Sequence, residues 1–220
     1  MDANQLRDGI VLFIGLVVSV GVHEFGHAFV AHKLGDPTPE SEGRVTLNPI
    51  AHLDLIGTVI LPIFFIFVFR SGIFFGWGKP VRITPRYFKK SISMSKGDIL
   101  VSFAGPFMNI LFAAFLLILI GGLFRGGVLS LNDPMLHALT MYVMLNFILA
   151  AFNLLPLPPL DGSHILFALS GRKETGVIKF LNDYGMWILV ILLITGALGL
   201  ILGPVQKFGF SLVKFSLGVG

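Results

Sequence analysis

A chain of 220 residues with 55% hydrophobic, 12% aromatic and only 13% charged positions falls well below the roughly 25% charge of a soluble domain. Its mean hydropathy of +0.87 points the same way, and together these describe an integral, polytopic membrane protein. The absence of cysteine excludes disulfides and thiolate metal ligands. The net charge of +4 comes largely from one basic stretch, 79–96, which reads as a topology determinant beside anionic lipid rather than a nucleic-acid site.

Apolar runs predict an all-α fold with about five membrane helices, at 9–31, 55–70, 99–124, 136–157 and 186–203. They and their connections consume the chain, so the expectation is a single membrane-embedded domain over 1–220. Its core covers about 9–165, with a C-terminal helix and tail at 186–220. The first ten residues lack the clustered positive charge of a signal peptide, so the first run is expected to be retained. Between the first two runs, "GDPTPESEGRVTLNPIAHLD" reads as surface loop. After the second, Gly72, Gly76, Gly78 and Pro80 disfavour a helix. The tail "VQKFGFSLVKFSLGVG" reads either as an interfacial helix or as a loosely packed terminus.

The first run carries ionisable groups where they are costly and usually functional. His23-Glu24-Phe25-Gly26-His27 is an HExxH motif. On a helix His23 and His27 share a face and can bind one cation, with Glu24 beside it as a base. Zinc suits two imidazoles and an oxygen ligand. A catalytic site needs a third protein ligand. Glu40, Glu42, Asp54, Asp98 and Asp133 read as solvated loop or interfacial acids. Asp161 closes "NLLPLPPLDG", whose prolines 156, 158 and 159 end the fourth helix and extend the chain. Asp161 is therefore the favoured third ligand, the plain alternative being an Asp-Gly turn at the lipid interface.

Three motifs in this order, "HEFGH", "AGPFMN" and "FNLLPLPPLDG", resemble the site-2 protease family of intramembrane zinc metalloproteases. The resemblance implies His23, His27 and Asp161 as zinc ligands, one Zn2+ per chain and Glu24 as general base. It also implies that Asn153 positions substrate or stabilises the oxyanion, and that substrates are single-span membrane proteins. Many members carry Gly-Gly after the Asp, where this chain has Gly162-Ser163, and many carry a PDZ or CBS domain; the chain resembles the minimal members.

The metal also constrains topology. If every run simply crossed, His23 and His27 would lie about 21 and 27 Å deep at 1.5 Å per residue, while Asp161 would sit near the opposite face. A re-entrant extended hairpin near 71–81, protein-covered, brings all three ligands to one end. Eleven lysines and arginines (33, 44, 79, 82, 86, 89, 90, 96, 172, 173, 179) then lie on the site's side and five (7, 70, 125, 207, 214) on the other. The positive-inside rule puts the site towards the cytosol of the cell membrane and the N-terminus outside. Simple crossing gives the same charge split, so depth alone decides.

Within the hairpin, Phe75, Gly76, Trp77 and Gly78 are candidates for a clamp that holds substrate extended by strand addition; otherwise the aromatic residues pack or anchor at the interface. Asn109 is a candidate substrate contact or an interhelical hydrogen bond. Gly105-Pro106 suggest close helix approach and a kink. His164 reads as interfacial rather than behind the metal, and His32, His52 and His137 earn no role. The activity expected is an intramembrane zinc endopeptidase acting on single-span proteins in the lipid bilayer, with no nucleic-acid partner and an open oligomeric state. A divalent-metal transporter and an inactive membrane-segment binder are the rivals. Whether the fifth helix gates substrate entry or only packs stays open.

Overall fold

A computed structural model describes residues 3–64 and 76–219. Among the described residues there is no strand, and five helices are long and apolar enough to cross a membrane. These are α1 (Ala3–Leu34), α4 (Met94–Arg125), α5 (Pro134–Asn153), α7 (Gly176–Ile194) and α8 (Ala197–Leu217). Among the described residues three short α-helices accompany them: α2 (Thr38–Ser41), α3 (Leu61–Phe64) and α6 (Asp161–Leu169).

Local chemistry sets several starts. Ser93 Oγ accepts from Lys96 N–H before α4, Asp133 caps α5 through Met135 N–H with Pro134 at the first helical position, and Thr175 caps α7 through Ile178 N–H. Helices α1, α4 and α5 pack together. Leu16 and Val20 of α1 meet Leu145 of α5, while Leu116 and Ile120 of α4 join Leu136 and Val143 of α5 and Val213 of α8.

The count of five holds, but its members differ from the sequence expectation. The run expected at 136–157 stops at Asn153, because Pro156 cannot continue a helix. The run expected at 186–203 is divided: Gly196, at φ +72°, caps α8 in the left-handed conformation and ends the straight path of α7. The tail, read as interfacial or loose, is the second half of a 21-residue helix. It lies against α4 and α5, with Phe208 edge-on to Phe147 and the backbone of Gly209 on Met144.

Of the run expected at 55–70, Leu55–Ile60 is a π-helix and Leu61–Phe64 is α3, while 65–70 lie outside the described residues. The π-helix begins at Asp54, whose Oδ1 accepts from Ile56 and Gly57 N–H. The hairpin expected at 71–81 lies partly outside the described residues, at 71–75; 76–81 are irregular, with neither helix nor strand. The chain leaves α1 and rejoins it at the same end. Lys89 N–H donates to the Leu34 carbonyl at 2.8 Å, and Phe88 packs with Ala31, Leu34 and Val101. The segment between α1 and α4 therefore makes no net passage along the bundle.

Candidate metal centre

One helical turn separates His23 and His27 on α1, and their Nε2 atoms lie 3.1 Å apart. From the other side Asp161, the first residue of α6, brings Oδ2 to 3.1 Å from His23 Nε2 and 3.4 Å from His27 Nε2. That oxygen is buried and has no hydrogen-bond partner among the described residues. Both histidines are buried too, at 7% exposure. Donors bound to zinc at about 2.0–2.1 Å in a tetrahedron stand roughly 3.3–3.4 Å from one another, so these spacings fit one such ion. Among the described residues this is the group of three donors suited to a metal.

The surroundings orient each donor. His27 Nδ1–H donates to the Val101 carbonyl and His23 Nδ1–H to Asn109 Oδ1, both at 2.7 Å, which leaves each Nε2 lone pair facing Asp161. Asp161 lies outside the spanning helices. Gly162 allows this placement, since a Cβ there would come within 2.4 Å of the Leu154 and Leu155 carbonyl oxygens. Gly105 forms the floor: a Cβ on it would reach to 2.4 Å from His27 Nε2 and 2.6 Å from His23 Nε2.

Glu24 is half-buried, next to His23 in sequence. Val81 N–H approaches its Oε2 at 3.3 Å, and a Cβ on Gly78 would lie 3.2 Å from its Oε1. The segment carrying Gly76, Trp77 and Gly78 thus passes directly over Glu24. It is tied down by Trp77 N–H to Gly57 O, Thr58 Oγ1–H to Trp77 O and Lys79 N–H to His52 O. Phe75 lies outside the described residues.

Asn109 is fully buried behind His23, its Nδ2 donating to Ser19 O and Asn146 Oδ1. Asn153, at the end of α5, donates to Leu149 O of its own helix. His164 is exposed, whereas His52 is fully buried and its Nε2 meets the Thr46 carbonyl.

The chain is similar to known proteins. The model for "Peptidase family M50" matches residues 122–194, the part that carries Asp161. A Bacillus subtilis (strain 168) protein named "Putative zinc metalloprotease YwhC" is 35% identical over 90% of this chain and 86% of its own length. "Putative zinc metalloprotease Rip2" of Mycolicibacterium smegmatis is 31% identical over 86% of this chain and 68% of its own. "Zinc metalloprotease MJ0392" of Methanocaldococcus jannaschii is 27% identical over 86% of this chain and 44% of its own. The chain belongs to peptidase family M50, the site-2 proteases. No solved structure matches it.

As an M50 member the chain is a zinc metalloprotease and a multi-pass integral membrane protein, with Zn2+ as its cofactor. Several residues around the site went unassigned in the sequence reading: Ser19, the Val101 carbonyl and Asn146, with Gly105 read only as a packing residue. Asn146 carried a usable signal, being an amide in the middle of an apolar helix seven residues before Asn153. A backbone carbonyl such as that of Val101 leaves no mark in sequence.

Proposed function

We propose that the chain is an intramembrane zinc endopeptidase that hydrolyses peptide bonds within or near the transmembrane segment of single-span proteins. The observation that carries this reading is the convergence of His23, His27 and Asp161 on one point, with Glu24 beside it, on a helix long and apolar enough to span a bilayer.

His23, His27 and Asp161 would hold the ion, which when bound would supply a Lewis acid able to activate water near neutral pH. The Glu24 carboxylate takes a proton from the attacking water and passes it to the leaving amide nitrogen. Asn153 is assigned to the developing oxyanion. Helical carbonyls are already hydrogen-bonded, so a substrate must be unwound. The segment around Gly76, Trp77 and Gly78 is assigned the role of holding it extended by strand addition. The eleven-to-five split of basic residues supports a site towards the cytosolic face of the cell membrane. The chain acts as one domain in the lipid bilayer and has no nucleic-acid partner.

Purified protein in detergent, offered a panel of single-span substrates, tests the reading. Wild type cuts, Glu24→Gln keeps zinc without cutting, and Asp161→Ala loses zinc. A metal transporter or a silent binder would survive Glu24→Gln with its activity intact, and that outcome would overturn the proposal.

A further inference from the structure

Behind His23 lies a chain of buried amides reaching across three helices. Asn109 of α4 accepts from His23 Nδ1–H at 2.7 Å and donates through Nδ2 to the Ser19 carbonyl at 3.0 Å and Asn146 Oδ1 at 2.8 Å. Asn146 of α5 in turn donates through Nδ2 to the Tyr142 carbonyl and to Ser19 Oγ, both at 2.8 Å. Ser19, Asn109 and Asn146 are each 0% exposed. The proteolytic mechanism uses neither Ser19 nor Asn146.

An amide is nearly symmetric in shape, so something must decide which end faces His23. If Asn109 turned over, its NH2 would face Nδ1. Nδ1 would become the acceptor and the ring proton would move to Nε2, where an N–H pointed at Asp161 cannot ligate a metal. Two backbone carbonyls forbid this. A carbonyl only accepts, so Tyr142 O requires the NH2 of Asn146 and thereby turns Asn146 Oδ1 towards Asn109. Ser19 O and Asn146 Oδ1 then both require the NH2 of Asn109, which turns Asn109 Oδ1 towards His23. Inverting any one amide sets acceptor against acceptor in a dry interior, where unmatched groups are costly.

We propose that Asn146 is a positioning residue for the zinc ligand His23, acting through Asn109 to fix the ring as the Nδ1–H tautomer with its Nε2 lone pair aimed at the metal. This rests on His23 being a ligand, but not on what the enzyme cuts.

The test compares wild type, Asn146→Leu, Asn109→Leu and the double variant in detergent. Zinc affinity is read by chelator competition, and the tautomer by 15N NMR of the histidines in metal-free protein. Loss of a group that supports a ligand weakens metal binding about 10–100-fold, and Asn146→Leu is expected in that range. The double variant is expected to bind no more weakly than Asn109→Leu alone, because Asn146 has no other route to the metal. Metal-free wild type is expected to show His23 as Nδ1–H, and Asn146→Leu a mixture of tautomers. Should Asn146→Leu not fold, Asn146→Ala removes the same amide with a smaller side chain and is expected to weaken zinc by about 10–100-fold.

Zinc affinity within about twofold of wild type in Asn146→Leu, losses that multiply in the double variant, or an unchanged His23 tautomer would each overturn the proposal. If wild type binds no zinc, the ligand assignment falls and the relay with it. If it binds zinc but cuts nothing, only the proteolytic reading is damaged.

Discussion

Gly105 and His23 meet where no side chain fits: a Cβ at residue 105 would stand 2.6 Å from the His23 Nε2 and 2.4 Å from that of His27. Both rings are hydrogen-bonded from behind at 2.7 Å, by Asn109 and by the Val101 carbonyl, but their tips can tilt aside when no metal holds them. The added methyl would occupy the space into which the ligands point. Gly105→Ala is therefore expected to weaken zinc binding at least about tenfold, with little loss of metal-free thermal stability. Zinc content after dialysis, set beside the melting temperature, checks it.

Gly162→Ala is expected to act differently. Its Cβ would collide with two backbone oxygens at 2.4 Å, and backbone gives way less easily than a side-chain tip. Overpacking of this kind costs about 1–3 kcal/mol, and relief requires α6 to move away from the end of α5, carrying Asp161 with it. The variant should lose both stability and zinc. A melting temperature and zinc stoichiometry equal to wild type would show that Asp161 does not depend on this close approach.

The convergence of His23, His27 and Asp161 was legible in sequence because HExxH spacing and helical geometry leave little freedom, and because the prolines before Asp161 force the chain out of α5. What stands behind the ligands was less so. Asn109 was visible as a costly amide in an apolar helix, yet sequence cannot say whether it faces substrate or the back of a histidine ring. The division of α7 from α8 was hidden for another reason. Gly196, Gly199 and Gly203 look alike in the sequence, but only Gly196 has positive φ, while the other two sit inside α8. Lys207 and Lys214 made the tail look interfacial, although Gly209 and Val213 turn its other face into the bundle.

Gly78 tests the segment above Glu24. A Cβ there would press on Val20 at 2.6 Å and on Glu24 at 3.1–3.2 Å. Gly78→Ala should leave zinc in place while displacing the base. Misplacements of about 1 Å cost up to roughly 100-fold in rate, so kcat is expected to fall at least about tenfold. Equal loss of zinc and kcat would place the effect on the metal rather than on Glu24.

The path of the chain between α1 and α4 can be read with single cysteines at 72–80 in a protein that has none of its own. If this stretch returns through the membrane as a covered hairpin, a membrane-impermeant thiol reagent should label its ends and spare its middle. Uniform labelling from one side would place the whole segment outside the bilayer.

The position of the cut addresses the central claim most directly. Zinc-loaded wild type is incubated in H2 18O with a single-span substrate, and the products are weighed by mass spectrometry. The account predicts one 18O in the new carboxyl group, a scissile bond within or beside the transmembrane segment, and loss of both products in Glu24→Gln by about 10²–10⁴-fold. Cleavage confined to soluble regions, or undiminished by Glu24→Gln, would contradict it.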